Sequence, residues 1–488
     1  MTGHAPTGEQ SAIIAAYRSA TNLVIEAGAG TGKTSTMRLC AEARPRIRMV
    51  YLSYNRAIAD EAGRTFPANV QCSTAHSLAM RAVGRQYRHR LDGPRVPAQQ
   101  AARILRINDP VRLGDLILAP QQIARVALET VQRYCKSGDA EISAWHVPRK
   151  PGLDEPSVHR ALAAEVLPLA RRAWEDLMAP AGQLKFTHDA YLKAWGLTGP
   201  QLDADAVMLD EAQDANGVIL GVVLAQRAAQ LVAVGDRNQA INGWNLAIDA
   251  MDKFPDAQRL ALSQSFRFGS QIAREANKWL QILGADLRLK GFQRISSMIG
   301  TCERPHAILC RTNARATVEA MQLLEAGVAT AMVGSLAKEI RALAEAAEQL
   351  QAGRGTSHPE LFAFQNWAQV RDHAENDPGG SDLRVLVSLI DEHSPRKIIG
   401  MVDSLADEKR AQVTVSTAHR AKGREWGSVR IATDFREPRP DPKAPDAVPE
   451  VAAETAMLAY VAVTRAQLHL DREGLAWVDK FLVSGAAA

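Results

Sequence analysis

The 488-residue chain sets 58 Lys and Arg against 54 Asp and Glu, for a net charge of +4, with 46% hydrophobic and 23% charged residues. That length exceeds one ordinary core and suggests about three or four compact units, and the composition excludes a wholly disordered chain. The mild positive balance permits a nucleic-acid partner without demanding one, because a DNA groove needs local rather than global charge. Cys40, Cys72, Cys135, Cys302 and Cys310 are odd in number and form no CxxC pair. They argue against a disulfide framework or a zinc site and fit a reducing cytosol. Met1-Thr2-Gly3-His4 opens no basic-then-apolar leader, and no apolar run reaches the roughly 18 residues that span a membrane. A cytoplasmic protein with no membrane partner is expected.

In chain order, short apolar runs of strand type are each followed by a loop and a helical pattern. Leu23-Val24-Ile25 and Met49-Val50-Tyr51-Leu52 come first, then, after a long gap, Val207-Met208-Leu209, Leu231-Val232-Ala233-Val234 and Arg259-Leu260-Ala261-Leu262. A second set comprises Ala307-Ile308-Leu309-Cys310, Val413-Thr414-Val415-Ser416 and Val429-Arg430-Ile431-Ala432. Buried strands alternating with helices predict an α/β fold with parallel sheets flanked by helices on both faces. The stretch from Ala79 to Leu202 is helical in pattern, rich in Arg and Gln, and poor in strand signals. Another helical stretch, Leu336 to Asp407, is broken at Gly353–Ser357 and at Pro378-Gly379-Gly380. Pro438, Pro440, Pro442, Pro445 and Pro449 mark an extended surface loop. The expected organisation has residues 1–80 and 202–268 as one α/β domain and 81–201 as its helical insertion. Residues 269–335 and 408–488 form the second domain, with 336–407 as a shorter insertion.

Ala27-Gly28-Ala29-Gly30-Thr31-Gly32-Lys33-Thr34 follows the first strand and opens a helix. Small residues let backbone N–H groups close around phosphate oxygens, and the helix N-terminus favours negative charge. Lys33 is placed to reach the β- and γ-phosphates of ATP, and the Thr34 hydroxyl to ligate Mg²⁺. Ala27 stands where the general pattern has Gly. The loop alone indicates only a P-loop nucleotide binder. Val207-Met208-Leu209-Asp210-Glu211-Ala212-Gln213-Asp214 supplies a carboxylate at the end of an apolar strand, Asp210, to hold Mg²⁺. Glu211 beside it would orient the attacking water. The bland alternative is a helix N-terminus enriched in acids.

The ordered segments Asp210-Glu211-Ala212-Gln213-Asp214, Val234-Gly235-Asp236-Arg237-Asn238-Gln239, Gln264-Ser265-Phe266-Arg267, Ser416-Thr417-Ala418-His419-Arg420-Ala421-Lys422-Gly423-Arg424-Glu425-Trp426 and Val463-Thr464-Arg465-Ala466 resemble the motifs of the UvrD/Rep superfamily 1 DNA helicases. Thr7-Gly8-Glu9-Gln10 ahead of the P-loop fits the same family, and the resemblance runs from Gly8 to Leu470. Tyr54-Asn55-Arg56-Ala57-Ile58-Ala59, Phe66-Pro67-Ala68-Asn69-Val70, Thr187-His188-Asp189-Ala190-Tyr191-Leu192 and Thr433-Asp434-Phe435 are similar to the F-box DNA helicase branch and its phage and bacterial relatives. No F-box is expected, since the P-loop begins near the N-terminus, and no nuclease domain after Arg465.

The resemblance implies two RecA-like P-loop motor domains with a nucleotide between them. Gln10 would read the adenine edge, Phe266 would stack on the base, and Glu425 would meet the ribose. Gln239 would sense the γ-phosphate. Arg267 and Arg465 are similar to two arginine fingers from different domains, groups whose loss costs about 10³–10⁵ in rate. Tyr54, Asn55, Thr74, His76, Trp244 and His419 match positions lining single-stranded DNA, where stacking is sequence-tolerant. Each has a purely structural alternative: Tyr54 and Trp244 as core or rim aromatics, His76 as a satisfied structural histidine, His188 as a cap, and Arg88-His89-Arg90 as a solvated face.

Two departures from the family stand out. Asn242 replaces an aromatic and Asn245 a basic residue after the glutamine motif, which bears on coupling between hydrolysis and DNA. The insertion at Leu336–Asp407 is much shorter than in UvrD-like enzymes, so a protein partner is conceivable. Three functions remain open: a 3′ to 5′ DNA helicase, a translocase that strips proteins from DNA with little unwinding, and a nucleotide-gated DNA-binding subunit of a larger complex such as phage defence.

Overall fold

The protein is described from a computed structural model, which covers residues 5–484 apart from 94–95, 115, 151–152, 154, 242–249, 255, 357, 359–360, 362–363, 377–380 and 440–448. Asn242, Trp244 and Asn245 therefore lie outside the described residues, as do Pro378-Gly379-Gly380 and Pro440, Pro442 and Pro445. The chain folds into two compact units. One takes Met1–Ala27 with Gly32–Leu262, and the other takes Ser263–Ala488 together with Gly28–Thr31.

Among the described residues, eight strands belong to the first unit: β1 (Leu23–Ala27), β2 (Met49–Leu52), β3 (Val70–Ser73), β4 (Val111–Leu113), β5 (Leu116–Leu118), β6 (Ala206–Asp210), β7 (Gln230–Gly235) and β8 (Gln258–Leu262). Six of them form one sheet in the order β3-β2-β6-β7-β1-β8, and every pair in it is parallel. The central strands β6 and β7 are buried along their whole length, which is why they read as unbroken apolar runs instead of alternating ones. Among the described residues, two cores lie in this unit's sheet region. One gathers Ile13, Tyr17, Met37, Cys40, Tyr51 and Met208, and the other gathers Val24, Val50, Val207, Leu209 and Ala233.

The interval 81–201 is mainly helical, with long helices at Pro120–Lys136 and Pro156–Met178. The paucity of strand signals there hid one small antiparallel hairpin, β4 with β5. The insertion's core includes Val218 and Val222, from the helix that follows β6, so it is continuous with the rest of the first unit. Arg90 is not part of a solvated face. It is buried and donates to the carbonyls of Leu177, Ala179 and Leu184 at 2.8, 2.7 and 2.9 Å.

The second unit repeats the plan with β9 (Met298–Ile299), β10 (Ala307–Cys310), β11 (Thr330–Met332), β12 (Val413–Thr417), β13 (Trp426–Ile431) and β14 (Ala466–Asp471). The order is β11-β12-β10-β13-β14-β9, again parallel throughout. Its helical segment within 336–407 shares a core with Ile308, Cys310, Val413 and Val415. The second insertion thus packs on the sheet it interrupts and the first on the helix after β6, which gives two units where length alone suggests three or four. Both sheets match the expected α/β class of parallel sheets flanked by helices.

Candidate active site

The P-loop is shaped by its glycines. Gly30 has φ +73 and Gly32 has φ +77, left-handed conformations that a side chain rarely adopts. A Cβ on Gly30 would also sit 2.6 Å from the Cβ of Arg267 and 2.7 Å from Ser265 Oγ. Gly32 is the N-cap of the helix Lys33–Ala43, so the loop runs directly into a helix N-terminus, as an anion site requires. The Thr31 hydroxyl donates to the Gly28 carbonyl at 2.8 Å and closes the turn. Ala27 is fully buried at the end of β1, so its methyl group sits in the core.

At the tip of β6, Asp210 is buried and its Oδ1 accepts from the Glu211 N–H at 2.9 Å. Glu211 adopts φ +50, an uncommon conformation for a residue with a side chain. Its Oε1 lies 2.6 Å from Lys33 Nζ. The Lys33 pKa is raised: burial, the largest influence, pulls it down, but Glu211 and Asp210 outweigh that. Asp210 is raised, first by burial and then by the charge of Glu211. Lys33 thus stays an ammonium, with two further N–H donors available for phosphate oxygens.

Two residues here escaped sequence reasoning. Gln213 is buried, donating to Glu211 Oε2 at 2.6 Å and accepting from the Asp236 N–H at 3.0 Å. The Asp236 carboxylate in turn accepts from Gln239 Nε2 at 2.6 Å. The predicted γ-phosphate sensor is therefore joined to the predicted base through Gln213 and the end of β7. Tyr51 is fully buried on β2, and its hydroxyl donates to Asp210 Oδ2. Burial and the neighbouring Asp210 raise its pKa well above the usual phenol range, so it remains a neutral donor. No local pattern marks Tyr51, since a buried aromatic on a strand reads as core.

Gln10 lies in the helix Gly8–Arg18, where it forms a capping box with Thr7 and donates from Nε2 to Thr36 Oγ1 at 3.0 Å. Among the predicted DNA contacts of this unit, Tyr54 is 41% exposed. Asn55 and Thr74 are N-caps, accepting from the N–H groups of Ile58 and Ser77 at 3.0 and 3.0 Å. His76 Nε2 lies 3.4 Å from Asp189 Oδ1 and its ring meets Tyr191 edge-on. The cap ahead of His188 is Thr187, while His188 Nδ1 lies 3.0 Å from the Tyr191 hydroxyl.

In the second unit, Phe266 meets the Phe292 ring at 5.4 Å between centroids, and its N–H donates to the Gly30 carbonyl at 2.8 Å. Arg267 pairs through Nε with Glu425 Oε2 at 2.5 Å and donates from Nη1 to the Thr464 carbonyl at 3.1 Å. Both predicted arginine fingers accordingly fall within this unit. Arg465 is buried, with Nε on the Val461 carbonyl at 2.9 Å and Nη1 on that of Arg424 at 3.2 Å. Glu425 also accepts from Gln467 Nε2 at 2.9 Å. His419 lies in the turn after β12, half-buried, and burial lowers its pKa.

A glycine loop between a parallel strand and a helix, with paired acids at the tip of a nearby strand, defines a P-loop nucleotide-binding protein of the RecA-like α/β class. Residues 10–245 match the family described as "AAA domain". The chain is 27% identical over 499 residues to F-box DNA helicase protein 1 of Schizosaccharomyces pombe (strain 972 / ATCC 24843), covering 92% of this chain and 55% of that protein. It is 27% identical over 448 residues to F-box DNA helicase 1 of Gallus gallus, covering 84% of this chain and 43% of that protein. The chain thus spans about half the length of the curated relatives it matches. With the ordered motifs, these similarities support a relationship to the superfamily 1 helicases. Among the described residues, no helix is long and apolar enough to cross a membrane.

Proposed function

We propose that this chain is an ATP-driven motor that moves along single-stranded DNA, or DNA with single-stranded tails, and separates strands in the 3′ to 5′ sense. It would serve repair, recombination or replication in the cytoplasm, in keeping with five free cysteines. The observation that carries the reading is the Lys33–Glu211 pair at 2.6 Å, beside Asp210 at the tip of β6. It supplies a phosphate-binding cation, a carboxylate to orient water and a second carboxylate for a metal, in one place.

The donor set fits Mg²⁺. Among the described residues no group of three or more His, Cys, Asp or Glu could cage a metal ion. Mg²⁺ in nucleotide sites instead rests on one or two protein oxygens plus phosphates and water, the role assigned to Asp210 and Thr34. When bound, the ion would neutralise charge on the phosphate oxygens. Lys33 would hold the same oxygens, and Glu211, oriented by Gln213, would accept a proton from the attacking water. The similarity to proteins named DNA helicases supports DNA as the track.

The test is ATP hydrolysis with and without single-stranded DNA, comparing the native chain with Glu211→Gln. DNA stimulation that disappears with the substitution supports the motor. A rate indifferent to both sinks it, and strand displacement then separates unwinding from translocation alone.

A further inference from the structure

β2 is the strand on which the cation end of the site depends, although it contributes no motif. Its neighbour in the sheet is β6, with Tyr51 opposite Met208 and Leu52 opposite Leu209. That register puts the Tyr51 ring into the core formed with Met37 and Cys40 of the P-loop helix and with Met208. The Phe66 ring packs on it at 4.9 Å between centroids. Pinned on both sides, the ring has its hydroxyl at Asp210 Oδ2. The other Asp210 oxygen is held by the Glu211 N–H. A buried phenol hydroxyl left without a partner is costly, so this one fixes the carboxylate it meets.

Building on the assignment of Asp210 and Thr34 to Mg²⁺, we propose that Tyr51 is a positioning residue for the cation, orienting its carboxylate ligand Asp210 through one hydroxyl. Tyr51 touches neither nucleotide nor water in this role. It sets the rotamer of Asp210, as partners in the outer shell of metal sites do.

The experiment titrates MgCl₂ into the full chain with a fluorescent ATP analogue that cannot be hydrolysed, and reads the Mg²⁺ half-point for nucleotide binding. Tyr51→Phe is expected to raise that half-point about 10- to 100-fold. Nucleotide affinity in excess EDTA is expected to stay within about twofold, since the outer shell acts on the metal. Added to Asp210→Asn, Tyr51→Phe should cause no further loss, and 4-aminophenylalanine at position 51, which keeps a donor, should restore much of the native half-point even where Tyr51→Phe lowers the melting temperature. An unchanged half-point in Tyr51→Phe, with Asp210→Asn and Thr34→Ala both impaired, overturns the role of Tyr51 alone. Asp210→Asn and Thr34→Ala both binding Mg²⁺-nucleotide like the native chain would overturn the metal assignment itself, and the proposal with it.

Discussion

Gln213 holds Glu211 from the side opposite Lys33: its Nε2 donates to Glu211 Oε2 at 2.6 Å, while Lys33 Nζ takes Oε1 at 2.6 Å. The carboxylate proposed to orient water therefore has a fixed plane. Gln213→Glu removes the donor and sets a second carboxylate against the first. The expected result is a fall in the turnover number of about 10²-fold with little change in KM for ATP. Gly235→Ala should act in the same direction, because the added Cβ would lie 2.3 Å from Gln213 Oε1. Steady-state ATP hydrolysis checks both, and turnover at the native level in either variant contradicts the arrangement.

The residues proposed to line DNA divide by the work they already do. Tyr54 is exposed, whereas Asn55 and Thr74 cap helices. Tyr54→Ala should weaken single-stranded DNA binding by about 1–3 kcal/mol, read by fluorescence anisotropy. Asn55→Ala and Thr74→Ala should each cost stability, about 0.5–2 kcal/mol in urea unfolding, through lost caps. Equal stability losses for all three would show that Tyr54 is structural.

Arg90 predicts a stability effect far from any site. Its guanidinium joins the chain around 177–184 to the segment after β3 through three carbonyls, and lies 5.4 Å from the Phe186 ring. Arg90→Ala should cost about 2–4 kcal/mol, because buried carbonyls lose a charged donor. Arg88→Ala, at an exposed position two residues earlier, should stay within about 0.5 kcal/mol. Thermal unfolding of the two variants decides it.

Asp479 predicts a pH dependence. Hydrogen bonds from Arg472 and then Lys278 lower its pKa to about 2 from the ordinary aspartate value of 3.8. A carboxyl lowered on folding adds stability above its unfolded pKa, and that addition is lost as pH falls through the folded value. The difference in stability between the native chain and Asp479→Asn should hold from neutral pH to pH 4, then shrink toward pH 2. Because Asp479 is 46% exposed, salt should also reduce it. A difference that grows on acidification would contradict the ion pairs.

Much of the architecture was legible because parallel strands are buried on both faces. β1, β2, β6, β7, β8, β10, β12 and β13 each fall on an apolar run read from the chain. β3 (Val-Gln-Cys-Ser), β11 (Thr-Ala-Met) and the β4–β5 hairpin were not legible, being too short or too polar to stand out. β14 (Ala-Gln-Leu-His-Leu-Asp) reads as the tail of a motif instead of a strand. Arg90 was misread because its neighbours Arg88 and His89 are exposed, and three basic residues in a row look alike until one finds carbonyls.

The sequence by itself determined the P-loop, the acids that follow an apolar strand and the order of the motifs, because each is local: a few residues whose sizes and charges suffice to state the chemistry. Only the tertiary structure decided that Tyr51 meets Asp210, that Gln213 spans Glu211 and Asp236, and that Arg465 turns onto backbone carbonyls. Tyr51 and Asp210 are far apart in the chain and become neighbours through the pairing of β2 with β6. Strand order is set by how whole layers pack, and side-chain periodicity along one strand carries no record of which strand lies beside it.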